Sequence, residues 1–588
     1  MTSKQLILDI EANGLNPDKI WCIVTKEVVS GEVVCYGPNE LDQFNLEGVS
    51  EIIGHNILGY DIHVLERLLS IDFSGVKLVD TLVMSRLFNP VREGGHSLAA
   101  WGERLGFPKG DYTDFSQYTK KMLDYCVQDV EVNLRAYRSL LKESEGFSEE
   151  SIQLEMDVHK IIAEQSRNGW LLDEGRAFML LAELKEKMLD AEERVHDRFT
   201  PLPVWVEKNY PKNPYKKNGD KAAILIRHET EGVRYNAEGS YGIFTYPPFN
   251  LGSRQQIGRY LKHFGWKPKE FTESGLPKVD EKILEKVNIP EAQLIKDYLL
   301  LQKRVAQVQS WINSVEDDGR VHGFVNPMGT QTNRMSHSSP NVAQVPATKL
   351  DKDENILHGM DGGYGHECRE CWVVPAGYKL VGCDASGLEL RMLAHYMNDD
   401  DYTKEILDGD IHTANQLAAQ LPERSQAKTF IYGFLYGAGD AKVGEIVNGT
   451  AKDGKQLKER FLNATPALKR LREQVTKAAG RGHLKGLDGR KIWIKSDHSA
   501  LNYLLQSAGA IIMKRALVIL YGYAKGAKLD FKLVGNIHDE IQAEVAEEHA
   551  EVFGKMAVSA IIGAGEQLNM RCPQNGEYKI GTSWADTH

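Results

Sequence analysis

No stretch of this sequence reads as a long, uncharged apolar run, and its mean hydropathy is negative, so no membrane span is expected. Cysteine is scarce. The seven present are scattered and odd in number, which excludes a disulfide scaffold and points to reduced thiols in a cytoplasm. Residues 1 to 14 lack a signal-peptide layout, because their short apolar run carries Asp9 and Glu11. Net positive charge is missing too: 71 Lys and Arg against 82 Asp and Glu leave −11. That total does not exclude a nucleic-acid partner, since acidic sites coexist with basic grooves. What remains is an ordinary globular composition over 588 residues, enough for several domains with large cores.

Residues 5 to 12 alternate like a strand and put Asp9 and Glu11 on one face. Two such carboxylates repel each other unless a cation lies between them. A hairpin is expected next, with strands near 20–28 and 32–36 joined at Ser30 and Gly31. A strand over 51–56, a helix from Asp61, a strand ending at Asp80 and a late helix carrying Tyr125 and Asp129 follow. Asp9, Glu11, Asp61 and Asp129 are candidates to hold two Mg²⁺ or Mn²⁺ ions, with Tyr125 orienting an attacking water. Asp80 is read as structural. The early Asp-x-Glu, the His55-Asn56 pair followed by Asp61, and Tyr125-x₃-Asp129 together resemble the 3′–5′ proofreading exonucleases of the DEDD type.

A long helical stretch runs from about 151 to 198, broken at Asn168 and Gly169. Residues 200 to 249 mix Pro, Gly, Lys and aromatics without helical period. They read either as an irregular surface excursion of hairpins and loops or as a DNA grip or partner-docking site. Helical periodicity returns from 250, and Arg254, Arg259, Lys262, Lys303 and Arg304 could flank a duplex backbone. A short strand and turn are expected over 319–327, with Arg334 just beyond. His366, Cys368 and Cys371 have only partial zinc spacing, and no second pair completes it.

Three blocks carry the second chemistry. A strand ending at Asp384 runs into a helix with Glu389 in its first turn. Residues 424 to 437 form a helix on which Arg424, Lys428, Tyr432 and Tyr436 recur every fourth position, preceded by His412. That face is either a solvated cation pair beside a core aromatic stripe, or a surface for triphosphate and base. Gly437 and Gly439 suit a helix stop. Residues 531 to 545 form two strands around a His538-Asp539-Glu540 turn. Asp384 and Asp539 meet if both strands share a sheet. With the Ala385 carbonyl they suffice for two Mg²⁺ ions, while Arg424, Lys428 and His412 neutralise a triphosphate.

Asp384-x₄-Glu389, Arg424 through Gly437 and His538-Asp539-Glu540 resemble motifs A, B and C of family A (Pol I-like) DNA polymerases. The wider wording resembles the replicative enzymes of T-seven-type bacteriophages, over nearly the whole chain. The resemblance implies an α/β multidomain protein: an RNase H-like DEDDy exonuclease over 1–146, then a right-hand polymerase over 147–588. It implies a thumb at about 150–315 with the 200–249 insertion, a palm at about 316–400 and 500–588, and fingers at about 401–499. The implied partners are primer–template DNA and dNTPs, host thioredoxin or another processivity factor at 200–249, and a phage helicase–primase, in a bacterial cytoplasm. The insertion looks shorter here than in thioredoxin-binding relatives, and no 5′-nuclease domain is expected ahead of the exonuclease.

By the same matching, Asp384 and Asp539 are catalytic, supported by His538 and Glu540. His412, Arg424, Lys428, Tyr432 and Tyr436 bind the nucleotide, and Glu389 is the gate against a ribose 2′-hydroxyl. Arg334, Asn502, Gln506 and His538 contact DNA. In this family, a hydroxyl-bearing aromatic at the position of Tyr432 goes with poor rejection of dideoxynucleotides. Two other readings are a single-subunit RNA polymerase, against which Glu389 and the exonuclease argue, and an inactive DNA-binding scaffold, against which the intact carboxylates argue.

Overall fold

The computed structural model describes residues 3–209, 212–230, 233–237, 240–494 and 499–588. Two compact units are distinguished: Met1–Leu172 with Ser314–Gln344 and Trp372–His588, and Asp173–Asn313 with Val345–Cys371.

The first unit opens with a five-stranded sheet. Its strands are β1 (Lys4–Ala12), β2 (Ile20–Glu27), β3 (Val33–Tyr36), β4 (Val49–Gly54) and β5 (Lys77–Asp80), in the order β3-β2-β1-β4-β5. β1 pairs antiparallel with β2 and parallel with β4, so the hairpin and the crossover share one central strand. Helices α1 (Asp61–Leu69), α2 (Thr81–Phe88), α3 (Lys120–Glu143) and α4 (Glu149–Asn168) follow in chain order. Ile7, Leu8, Ile10, Val130 and Leu134 are among the buried side chains that join sheet to helices. Asp80 is structural, as expected: fully buried, it caps α2 and accepts from the backbone N–H groups of Asn56, Leu58, Leu82 and Val83.

The second half of this unit holds a four-stranded antiparallel sheet. It consists of β6 (Tyr378–Ala385), β7 (Phe531–Ile537), β8 (Glu540–Ala546) and β9 (Gly576–Gly581), in the order β7-β8-β6-β9. Helices α5 (Leu388–Met397), α6 (Ile411–Ala419), α7 (Arg424–Leu435), α8 (Ala500–Gly526) and α9 (Ala550–Gln567) complete the parts used below. α8 is long and apolar enough to cross a membrane by composition, but 72% of its apolar window is buried inside the protein. It is a core helix: its Leu517 and Leu520 are buried in the same cluster as Ile541 of β8. At the end of α7, Gly437 takes φ +75° and stops the helix, whereas Gly439 opens the helix that follows.

A short hairpin, His483–Lys485 with Lys491–Trp493, is tied to helices α2 and α4 of the first half. Trp493 Nε1 donates to the Phe88 carbonyl (2.8 Å), and Lys491 Nζ donates to the Glu145 carbonyl (2.6 Å). At its turn Arg490 is completely buried and pairs with Glu155 on α4 (2.5 Å) and with Asp488 (2.6 Å). Lys514 on α8 completes the network at 2.7 Å from Glu155. Two cations and two carboxylates balance one another, so removing one partner strands the rest in a medium that cannot solvate them. Arg490→Met is therefore expected to cost about 3–5 kcal/mol. The check is a matching fall in the denaturation midpoint; an unchanged midpoint would show that the network is dispensable.

The other unit is built on the helices Glu174–Arg198 and Pro290–Ile312. Residues 200–249 are more regular than expected. Val204–Asn209, Ser240–Thr245 and Val233–Ala237 form a three-stranded antiparallel sheet, with a helix over Ala223–Thr230. Lysines and prolines interrupt the alternation in the sequence, but Trp205 and Phe244 meet edge-on across the sheet at 5.0 Å. Residues 210–211, 231–232 and 238–239 of this segment lie outside the described residues. Likewise 319–327 holds two short strands, Arg320–Val321 and Phe324–Asn326, instead of one.

Candidate active sites

The first cluster lies on β1, α1 and α3. Alternation along β1 puts Asp9 and Glu11 side by side, and the start of α1 brings Asp61, whose Oδ1 accepts from the Ile10 N–H at 3.3 Å. One turn of α3 separates Tyr125 from Asp129. Burial, and then the charge of Asp129, push Asp9 up to about 7. Burial, then Asp9 and Asp129, push Glu11 to about 9. Burial raises Asp129 to about 6 and Asp61 well above the carboxylate range. Four carboxylates that hold their protons this firmly form a site short of positive charge. Sequence reasoning missed a cation that answers it. Lys109 Nζ lies 2.5 Å from Asp129 Oδ2 and 4.7 Å from the centre of the Tyr125 ring. Asp129 Oδ1 is buried without a hydrogen-bond partner, which fits a site made for a metal ion.

The second cluster lies where β6 meets the β7–β8 hairpin. Asp384 stands opposite Glu540 in the ladder, and the Ala385 N–H donates to the Asp539 carbonyl at 3.0 Å. Asp384 and Asp539, 155 positions apart, are thereby brought to neighbouring places through the residue after Asp384. His538, at φ +61°, makes the tight tip. Burial, then Asp539, Glu540 and Glu577, push Asp384 to about 7, and its Oδ1 is a second buried oxygen without a partner. Those features fit a divalent-cation site with hard oxygen ligands. Glu540 is differently engaged: its Oε1 accepts from Gln542 Nε2 and Trp584 Nε1, both at 2.6 Å. It braces the hairpin. Glu577 and Lys579 reach Asp384 electrostatically from β9, a strand the sequence reading passed over.

α7 provides the third side. Arg424 makes a two-pronged ion pair with Asp410, Nε to Oδ2 at 2.6 Å and Nη2 to Oδ1 at 2.9 Å. Asp410 caps α6 and was not foreseen. Burial, then Arg424 and Lys428, hold His412 below its ordinary value, and its ring lies 6.2 Å from that of Tyr432. Tyr432 sits within the fields of Glu389 and Asp539. The Tyr436 hydroxyl donates a short hydrogen bond to Glu389, and the charge of Arg334 reaches it. One helix thus carries the Arg424–Asp410 pair at its start and, further along, two tyrosines beside Glu389 and Asp539. Gln506 on α8 accepts from Thr332 Oγ1 at 3.4 Å, beside Arg334. Asn502 lies one turn away on the same helix face. His366, Cys368 and Cys371 are not among the metal-ligating groups that converge within the described residues.

Comparison with known proteins accords with this geometry. The model of DNA polymerase family A matches residues 228–586. The chain is 34% identical to the DNA-directed DNA polymerase of Escherichia phage T7 and to that of Enterobacteria phage T3, over 99% of this chain and 100% of theirs. Its fold is similar to the POL domain of Pol1 from M. smegmatis, solved with DNA primer–template and dNTP. There the TM-score is 0.77 at 18% identity, over 100% of this chain and 96% of that one. The family match spans more than half the chain, and the phage relatives match end to end: the chain belongs to DNA polymerase family A.

Proposed function

We propose that this chain copies DNA, extending a primer 3′-hydroxyl with dNTPs at the Asp384–Asp539 centre, and edits the product 3′→5′ at the Asp9–Glu11 centre. The observation that carries the reading is the nearness of Asp384 and Asp539, held by the Ala385–Asp539 backbone bond, together with the helix that bears Arg424, Lys428, Tyr432 and Tyr436. Asp384, Asp539 and the Ala385 carbonyl would hold Mg²⁺, which when bound supplies charge to activate the 3′-hydroxyl and stabilise the leaving pyrophosphate. Arg424, Lys428 and His412 take the triphosphate. Asp410 holds the Arg424 fork in a fixed plane until phosphate oxygens compete for it. Glu389, pinned by Tyr436, closes the space a 2′-hydroxyl would need. Arg334, Gln506 and Asn502 read the duplex minor groove. In the editing centre Asp9, Glu11, Asp61 and Asp129 are the ligands, and Tyr125 with Lys109 orients water.

Residues 1–146, the thumb (about 150–315), palm (about 316–400 and 500–588) and fingers (about 401–499) follow as functional divisions. The 200–249 sheet is the place for a processivity factor such as thioredoxin.

The direct test is template-directed extension of a primer with dNTPs and, separately, with rNTPs. Strong preference for dNTPs is expected; equal use would replace this reading with an RNA polymerase. Dideoxynucleotides are expected to be accepted readily, because the Tyr432 hydroxyl can stand in for an interaction of the missing 3′-hydroxyl. Tyr432→Phe should raise discrimination against them by about tenfold or more, the worth of a hydrogen bond to a charged group. Equal discrimination by both proteins would remove Tyr432 from the site.

A further inference from the structure

Phosphodiester hydrolysis by hard cations has no use for a thiol, yet one stands in the editing centre. Cys126 follows Tyr125 on α3 and is completely buried. Its Sγ lies 3.3 Å from Asp9 Oδ2 and 3.6 Å from the Asp9 carbonyl oxygen. Among the described residues, Asp9, Glu11 and Cys126 are the group of metal-ligating side chains whose ligand atoms all come within 4.8 Å of one another. A second observation lies at the same place: Asp129 Oδ1 is buried and unpartnered, and the Asp129 charge bears on both Asp9 and Glu11. The synthesis centre differs. Cys383 precedes Asp384 on β6, so alternation sends its side chain to the opposite face of the sheet.

Two carboxylates and a sulfur form a mixed set. Mg²⁺ takes oxygen ligands and rejects thiolate, whereas Zn²⁺ and Cd²⁺ accept sulfur and carboxylate oxygen together. We propose that the editing centre has a second metal state, in which a thiophilic divalent cation is bound by Asp9, Glu11 and the Cys126 thiolate in competition with Mg²⁺ or Mn²⁺. The proposal rests on reading Asp9 and Glu11 as ligands of the editing centre. On binding, a sulfur–metal bond forms and the thiol proton leaves to solvent; no oxidation is involved. Such a cation would silence editing while the all-oxygen synthesis centre still works with Mg²⁺.

Cadmium chloride titrated into the metal-free full-length protein tests this, with cadmium–thiolate absorption in the ultraviolet and equilibrium dialysis as readouts. One saturable equivalent of thiolate-bound Cd²⁺ is expected. Cys126→Ala and the size-conserving Cys126→Ser should both lose the absorption and bind Cd²⁺ about tenfold or more weakly. Mn²⁺ binding, followed by paramagnetic resonance, should be unchanged in both. An absorption that persists in the Cys126 variants, or its absence from the parent protein while Mn²⁺ still binds through Asp9, overturns the proposal alone. A Cys126-dependent absorption without Asp9-dependent Mn²⁺ binding upholds the thiolate site and instead removes the editing-centre reading. Loss of both overturns both.

Discussion

Asp384→Asn is expected to lower primer extension by about 10³-fold or more while making the metal-free protein harder to unfold above neutral pH. The two effects have one origin. Burial and the neighbouring acids hold the folded Asp384 near 7, well above the ordinary carboxylate value. The native state therefore keeps its proton more tightly than the unfolded chain. Stability falls as pH rises from about 4 towards about 7, and above that the full cost of the buried charge is present. Asparagine is never charged and escapes this penalty, but it cannot serve as an anionic ligand. Asp539→Asn should give a similar loss of extension. Thermal unfolding in EDTA at pH 8, set beside extension with Mg²⁺, measures both quantities. A variant that extends primers normally would remove Asp384 from the reaction. One that loses activity only because it has lost stability would show the opposite sign in the unfolding scan.

The paired change Asp9→Ala and Glu11→Ala should abolish 3′→5′ degradation of a single strand and leave extension within about twofold, because the two centres share no ligand. pH makes the prediction sharper. Asp9 and Glu11 hold protons up to about 7 and about 9 when no cation is present. A divalent ion must displace those protons, so its affinity should climb with pH through that window and weaken as pH falls below it. Mn²⁺ titrations from pH 6 to 9 would show the trend in the parent protein and its disappearance in the double variant. Residual exonuclease activity in that variant would place the editing chemistry elsewhere.

Much of this was legible because the relevant periodicities are local. A two-residue repeat puts Asp9 beside Glu11, and a four-residue repeat aligns Arg424 with Tyr436. A tight turn between two apolar runs exposes Asp539. In each case a dozen residues contain the whole cause. Lys109, Asp410 and Glu577 were missed for the complementary reason. Lys109 lies in an irregular stretch before α3, and nothing nearby marks it as the partner of Asp129. Asp410 looks like an ordinary helix cap, and only the placing of α7 against α6 turns it toward Arg424. Glu577 owes its role to β9 joining β6, a pairing made across nearly two hundred positions. The 200–249 sheet was hidden differently. Its Lys and Pro residues mask an alternation that cross-strand aromatic contact supports.

The hairpin at 483–493 bears on how this protein could be taken apart. The division proposed near residue 146 is not a boundary of stability, because Phe88 and Glu145 are both held by residues more than three hundred positions later. A graft that replaced only residues 1–146 with a foreign editing module would carry the carboxylates across intact. It would still have to meet Trp493 and Lys491, which hold the carbonyls of Phe88 and Glu145. Recombination between such enzymes should therefore succeed only when the hairpin travels with the amino-terminal sheet, so that two distant stretches of gene are inherited as one piece.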